Sequence, residues 1–121
     1  MKYRRFRMQD LFREEISEII QREIKDPGIG FITILDVKIT EDLKNAKVLY
    51  SVYGSEDEKH RTVEALKRAR GYIRHALGTR VKVKFMPEIV FELDTGQAKL
   101  DRIEELLKKV DAERATHVPE D

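Results

Sequence analysis

One stretch of the chain, Ser55 to Asp94, limits the possible folds more than any other. Apolar residues recur at helical spacing through its first half, Gly71 interrupts that pattern, and Gly78 ends it. From residue 81 to residue 93 apolar and polar side chains alternate, which is typical of a strand. Pro87 places this strand at a sheet edge or at a bulge, because proline cannot donate to a strand ladder. The stretch therefore predicts helix, break, helix and a long strand.

The apolar positions of this stretch define the faces that we expect to be buried. Before the break they are Val63, Leu66 and Ala69, and after it they are Tyr72, Ile73, Ala76 and Leu77. In the strand they share one parity, at Val81, Val83, Phe85, Ile89, Phe91 and Leu93. Ser55 and Glu58 have the spacing of a capping box, so the first of these helices begins there.

The rest of the chain adds a helix, a strand pair and a final helix. Isoleucines and Phe12 recur at helical spacing up to Ile24, where Asp26-Pro27-Gly28 ends the first helix. Residues 31–40 and 46–53 alternate and predict an antiparallel pair. After Gly96 a last amphipathic helix is predicted, with Leu100, Ile103, Leu106, Leu107 and Val110 on one side. Residues 112–121 are polar, and we expect them to be disordered.

Size and composition favour one soluble domain. The 121 residues are enough for one hydrophobic core, and charged residues make up 39% of them, against roughly 25% in average soluble domains. The chain has no cysteine and no apolar run close to 18 residues, so we expect neither disulfides nor a membrane span. A cytoplasmic protein is expected.

Positive charge is concentrated in the middle of the chain, although the net charge is only +1. Residues 61–84 contain eight cations and one anion, Glu64. A face that serves only solubility would mix the two signs, so this segment favours a surface that binds anions over a merely solvated helix face. Gly71 has two interpretations: a simple turn between helices, or a kink that lets backbone amides approach a phosphate.

A catalytic or metal site is not indicated. His60, His75 and His117 are scattered and lack the spacing of metal ligands. The segment Gly28-Ile29-Gly30 lacks the rest of a nucleotide loop and precedes a strand, so it predicts a turn. We expect no enzyme activity, no cofactor and no small-molecule substrate.

Two segments of the chain resemble the bacterial ribosome-binding factor A family. They are KDPGIGFITILDVKITEDLKNAKVLYSVYG and ALKRARGYIRHALGTRVKVKFMPEIVFELD. The resemblance covers about residues 4 to 110. It implies an α+β fold of the type II KH-like class, ordered α-β-β-α-kink-α-β, with the helices on one face of a three-stranded mixed sheet. The predicted units are a KH-like RNA-binding domain over 1–96, a C-terminal helix over 97–111 and the tail over 112–121.

The resemblance also implies a function. KH domains clamp nucleic-acid backbone with a GXXG loop, whereas this chain has Ala69-Arg70-Gly71 between its predicted helices. That difference favours recognition of folded rRNA by shape and charge. The family implies a monomer that binds the small ribosomal subunit and its rRNA during late maturation, and that assists rRNA processing near the 5′ end and growth in the cold. The candidate RNA-binding residues are Lys67, Arg68, Ala69, Arg70, Gly71, Arg74, His75, Arg80, Lys82 and Lys84, extended by Arg4, Arg5 and Arg7.

Two other classes of function compete with RNA binding. One is a protein-interaction or oligomerisation module that uses the sheet face with Leu49 and Tyr53 and the acidic final helix. The other is a small enzyme with a dispersed site. RNA binding predicts a steep dependence of affinity on salt, an interaction module does not, and an enzyme needs a pocket with perturbed ionisable groups.

Overall fold

A computed structural model describes residues 2–96 and 103–111 of the chain. The predicted α+β fold with a three-stranded mixed sheet is confirmed. The predicted disorder of residues 112–121 and the first part of the predicted C-terminal helix lie outside the described residues. In chain order the elements are α1 (Lys2–Arg22), β1 (Phe31–Ile39), β2 (Asn45–Tyr53), α2 (Glu56–Arg80), β3 (Glu88–Leu93) and α3 (residues 103–111).

The sheet has the order β1-β2-β3, so β2 is central. The predicted antiparallel pairing of β1 and β2 is confirmed, with Phe31 opposite Tyr53 and a bulge between Ile34 and Asp36. β3 runs parallel to β2, as expected, because α2 crosses one face of the sheet and returns the chain in the same direction. β3 is an edge strand, and Pro87 lies just before it, where no ladder donor is lost.

The core lies between the sheet and the two long helices, α1 and α2, which pack on the same face. Alternate residues of β2 enter it, and so do the predicted apolar positions of α1. Of the predicted stripe of α2, Leu66, Ile73, Ala76 and Leu77 are buried, whereas Val63 and Ala69 are half-buried and Tyr72 is exposed. The core residues of β2 are Ala46, Val48, Tyr50 and Val52, and those of α1 are Phe12, Ile16, Ile19 and Ile20.

The predicted break at Gly71 is wrong. α2 runs without interruption from Glu56 to Arg80, so it also continues past Gly78, where the sequence predicted its end. Gly71 has no positive φ. One glycine costs a helix about 1 kcal/mol, which is less than the packing of the buried side chains on either side of it, such as Leu66 and Ile73, contributes. Tertiary packing therefore overrides the local preference.

The predicted long strand is wrong over its first half. Residues 81–87 have no regular structure, and only Glu88–Leu93 pair with β2. The alternation does not hold at Phe85, which we expected in the core and which is 76% exposed. Pro87 is fully buried and cannot donate a ladder hydrogen bond, so the strand begins after it.

The C-terminal helix is present over 103–111, but it is not part of the core. Its apolar side chains are exposed, and an ion pair joins its Glu105 to Lys38 of β1. None of the helices in the described ranges is long and apolar enough to cross a membrane.

Candidate nucleic-acid interface

The N-terminal half of α2 is fixed by local and long-range hydrogen bonds. The predicted capping box is confirmed: the Ser55 hydroxyl accepts from the backbone N–H of Glu58, and the Glu58 carboxylate accepts from the backbone N–H of Ser55. This pairing holds the pKa of Glu58 below its ordinary value. Thr62, fully buried, accepts from the Gly30 amide at 3.1 Å and donates to the Glu58 carbonyl at 2.9 Å. The helix is thereby tied to the turn before β1.

Sequence reasoning missed Thr62. The signal was available, because Thr62 lies four residues before Leu66 and so falls on the predicted buried stripe. A polar residue at such a position needs an internal partner, which the Gly28–Gly30 turn supplies. That turn is as predicted, with the Ile29 amide donating to the carbonyl of Asp26.

One side of α2 carries polar groups that bind α1 and the turn after it. The Arg68 guanidinium donates twice to Asp26, at 3.0 and 3.2 Å. The Tyr72 hydroxyl donates to Glu23 at 2.6 Å. The hydrogen bond from Arg68 and the one from the Gly28 amide lower the pKa of Asp26. The hydrogen bonds from Tyr72 and then Arg80 lower the pKa of Glu23.

Arg80 completes this side of the helix. Its guanidinium donates to Glu15 at 2.9 Å and to Glu23, and it lies 3.5 Å from Glu18. The hydrogen bonds that Arg80 donates to Glu15 and Glu23 raise the pKa of Arg80 above its ordinary value. Arg68 and Arg80, two of the predicted RNA-binding residues, are therefore engaged in holding α2 against α1 and the turn after it.

Arg74 is also engaged within the protein. Its Nε donates to the Pro87 carbonyl at 3.1 Å, and its Nη2 donates to the Met86 carbonyl at 2.8 Å. Glu88 lies 3.8 Å from the same guanidinium. These two carbonyls belong to the irregular segment before β3, which has no sheet partner to satisfy them. Arg74 therefore fixes the path of residues 82–86, which we call the 82–86 loop.

Other cations of α2 and of the 82–86 loop are presented to solvent. Arg70, Lys82 and Lys84 are exposed and form no ion pair with a carboxylate in the part of the chain that the structure describes. Lys67 is exposed too and lies 3.3 Å from Glu64, one turn earlier on the helix. An exposed pair at this spacing contributes little to stability, so the Lys67 ammonium remains available to an anionic partner.

Gly71 lies beside Arg70 and one turn after Lys67 on α2. A Cβ built on it would meet nothing within 4 Å, so its backbone is open to a close approach from outside. His75 follows it one turn later and is exposed, while Ala69 is half-buried against the core. We define the α2 face as Lys67, Arg70, Gly71 and His75.

The N-terminal arginines are not brought together with the α2 face by any described contact. Arg5 lies 3.8 Å from Glu41 in the β1–β2 turn, and its guanidinium carbon lies 5.4 Å from the centroid of the Phe6 ring. Arg4 and Arg7 are exposed on α1. Their predicted role in RNA binding stays a prediction.

The described residues contain no group of three or more histidine, cysteine, aspartate or glutamate side chains that could hold a metal ion. A cavity of about 510 Å³ lies between the start of α1, the end of β1 and α3. Within it, burial lowers the pKa of Lys38. The other displaced pKa values among the carboxylates come from hydrogen bonds that fix turns and helices. These features supply no nucleophile with an activating base.

Comparison with known proteins identifies the family of this chain. The family model described as ribosome-binding factor A matches residues 4–107. The chain belongs to the ribosome-binding factor A family. The protein of this name from Halothermothrix orenii is 52% identical over 107 residues, which cover 88% of each chain.

Solved structures agree with this assignment. The solution structure of a Thermotoga maritima protein described as a ribosome-binding factor A has a TM-score of 0.69 and 30% identity, and covers 79% of this chain and 92% of its own. Coordinates of ribosome-binding factor A from Thermus thermophilus, fitted into a cryo-EM map of its complex with the 30S subunit, have a TM-score of 0.57 and 24% identity. That match covers 68% of this chain and 86% of the other, and it supports the fold.

Proposed function

We propose that this protein is an assembly factor that binds the small ribosomal subunit and its rRNA during late maturation, and that it does so through the α2 face and the 82–86 loop. The observation that carries this proposal is that the cations of residues 61–84 fall into two groups, one bonded within the protein and one exposed. Arg68, Arg74 and Arg80 are engaged by internal acceptors. Of the remaining cations, Lys67 and Arg70 flank the open backbone of Gly71 on α2, and Lys82 and Lys84 are exposed on the 82–86 loop. Such a surface suits a phosphate chain, because its positive charge is not neutralised within the fold.

Family membership supports the ribosomal partner, since a homology model of the Thermus thermophilus ribosome-binding factor A has been fitted into a cryo-EM map of its complex with the 30S subunit. The finer parts of the proposal follow from the family resemblance alone. They are assistance in rRNA processing near the 5′ end, a role in growth in the cold, a monomeric and cytoplasmic state, and the absence of enzyme activity. In this proposal residues 1–96 are the KH-like RNA-binding domain, and the helix predicted over 97–111 is an addition to it.

Neutralising two cations tests the proposal. Arg70 and Lys82 are chosen because both are exposed, whereas Arg74 is needed to hold the 82–86 loop. The double variant Arg70→Gln, Lys82→Gln should bind small subunits roughly tenfold or more weakly at about 0.1 M salt. The log–log salt slope should flatten by about two contacts, at roughly 0.7 to 0.9 per contact. The measurement is affinity for purified small subunits from about 50 to 300 mM salt.

The matched control removes two exposed cations that belong to neither the α2 face nor the 82–86 loop, with Arg13→Gln and Lys25→Gln. Its net charge equals that of the test variant, so it separates local contacts from a general loss of positive charge. Circular dichroism checks that both variants fold. If the test variant keeps wild-type affinity and slope, the proposal fails, and an interaction module that uses the sheet face around Tyr53 becomes the better hypothesis.

A further inference from the structure

The 82–86 loop presents an aromatic ring between two lysines. Phe85 is 76% exposed, and Lys82 and Lys84 are exposed beside it in the chain. The Lys84 ammonium lies 5.7 Å from the centroid of the Phe85 ring. An exposed phenylalanine leaves apolar area in water, which is unfavourable by about 25 cal/mol per Å². The ring thus contributes nothing to the core, although its parity in the sequence predicted that it would.

The loop is held in place from both ends and from below. Val81 and Pro87 are buried and anchor its two ends. The Met86 side chain covers Gly78, at 3.5 Å from where a Cβ of that residue would lie. Arg74 donates to the carbonyls of Met86 and Pro87. Phe85 therefore projects from a fixed backbone, which lowers the entropy lost when a ligand binds.

We propose that Phe85 stacks on an unpaired base of a single-stranded rRNA segment, while Lys82 and Lys84 bind the phosphates on either side of that base. Arg74 acts as a positioning residue, because it fixes the loop that carries the ring. This inference rests on the proposed function and adds the class of ligand: unpaired nucleotides in addition to the phosphate surface of folded RNA. Every base has a π-face, so stacking by a single phenylalanine needs no particular base.

The surroundings of Phe85 favour a nucleotide over a protein partner. Lysine is depleted in the cores of protein interfaces, and a stable interface needs about 1,000 Å² of buried surface. One ring between two lysines offers far less apolar area than that. A base, in contrast, needs one ring to stack on and cations for its phosphates.

Phe31 is a matched control within the same chain. It is 78% exposed, close to the value for Phe85, and lies on the sheet opposite Tyr53. Its neighbours in the chain are Gly30 and Ile32, so no lysine adjoins it. If exposure of an aromatic ring were sufficient for stacking, Phe31 would serve as well as Phe85.

Tryptophan fluorescence tests the stacking directly. The chain has no tryptophan, so Phe85→Trp and Phe31→Trp each introduce a single reporter. The probes are a short oligoadenylate, which is single-stranded, and a blunt-ended RNA duplex. We expect the oligoadenylate, but not the duplex, to quench the fluorescence of Phe85→Trp, and neither probe to quench that of Phe31→Trp. Quenching of Phe31→Trp alone, of both variants or of neither one would overturn the inference.

Truncation tests the contribution to binding. Phe85→Ala should lower the affinity for purified small subunits by about 5- to 150-fold, the range expected for loss of one base–aromatic stack. The salt slope should stay unchanged, because a ring releases no counterions. Phe31→Ala should bind like wild type, and thermal melts should show that both variants fold.

The variants distinguish the stacking role of Phe85 from the phosphate-binding role of the exposed cations. If Phe85→Ala binds like wild type while the Arg70→Gln, Lys82→Gln variant binds weakly, the stacking role is wrong and the phosphate-binding surface remains. If both variants bind like wild type, both proposals are wrong. If Phe85→Ala flattens the salt slope as well, Phe85 acts by positioning the lysines, and the stacking role is again wrong.

Discussion

At the scale of single residues, a substitution at Gly71 has separate effects on stability and on binding. It lies within α2 with no positive φ, and a Cβ at this position would meet nothing within 4 Å. Gly71→Ala should therefore raise the free energy of unfolding by several tenths of a kcal/mol up to about 1 kcal/mol. Urea denaturation measures this change. If a phosphate approaches the backbone here, the same variant should bind small subunits more weakly despite its greater stability.

Gly54 is the control for this substitution. Its φ is +150°, and a Cβ there would lie 2.9 Å from the Glu58 carboxylate, so Gly54→Ala should destabilise the protein. A destabilised Gly71→Ala variant would show a strained backbone that the structure lacks. Higher stability with unchanged affinity would remove Gly71 from the binding surface.

Residues also differ in how well the sequence predicts their partners. The capping box of Ser55 and Glu58 was predictable, because both of its partners lie within one helical turn. The acceptors of Arg68 and Arg80 were not, since Asp26 is 42 residues from Arg68 and Glu15 is 65 residues from Arg80. Charge alone does not show which arginines are already engaged. The structure was therefore needed to separate the arginines that are bonded within the protein from the exposed cations.

At the scale of elements, Arg74 links α2 to the 82–86 loop. Arg74→Lys keeps the positive charge but loses the planar fork that reaches both carbonyls. In a protein that also carries Phe85→Trp, we expect it to reduce quenching by oligoadenylate and to lower stability by about 1–2 kcal/mol. The salt slope for small subunits should stay the same. Full quenching with wild-type stability would instead show that Arg74 does not position the loop.

The two mistaken elements of the sequence prediction share a physical cause. Local patterns gave a break at Gly71 and a strand from residue 81, yet tertiary contacts decided both. Packing of Ile73 and Leu77 carries α2 past the glycine. Pairing with β2 starts only after Pro87, so the alternation before it has no ladder to join.

At the scale of the whole molecule, lowered carboxylate pKa values link stability to pH. The pKa values of Glu23, Asp26, Asp42 and Glu58 all lie below their ordinary values because hydrogen bonds favour the charged form. A carboxylate of this kind stabilises the fold above its unfolded pKa, about 4, and the effect is lost as the pH falls through its folded pKa. The free energy of unfolding should therefore fall from about pH 5 downward.

The variant Glu23→Gln, Asp26→Asn tests this dependence. It should be less stable than wild type at pH 7, and its stability should fall less between about pH 5 and pH 3. Urea midpoints at several pH values measure both effects. Glu14→Gln, which changes an exposed residue of α1, should behave like wild type. An equally steep fall in the double variant would show that other groups dominate acid unfolding.

The order of the strands affects the order in which parts of the protein fold. β1 and β2 are joined by a short turn, whereas β3 can pair with β2 only after the whole of α2 has crossed the sheet. Contacts between distant parts of a chain are slow to form, since a long loop must close first. We expect β3 to dock late in folding and the 82–86 loop, anchored between α2 and β3, to be ordered with it. Under the proposed function, a newly made chain would then bind RNA only once β3 has docked, so a partly folded copy would not compete for the subunit.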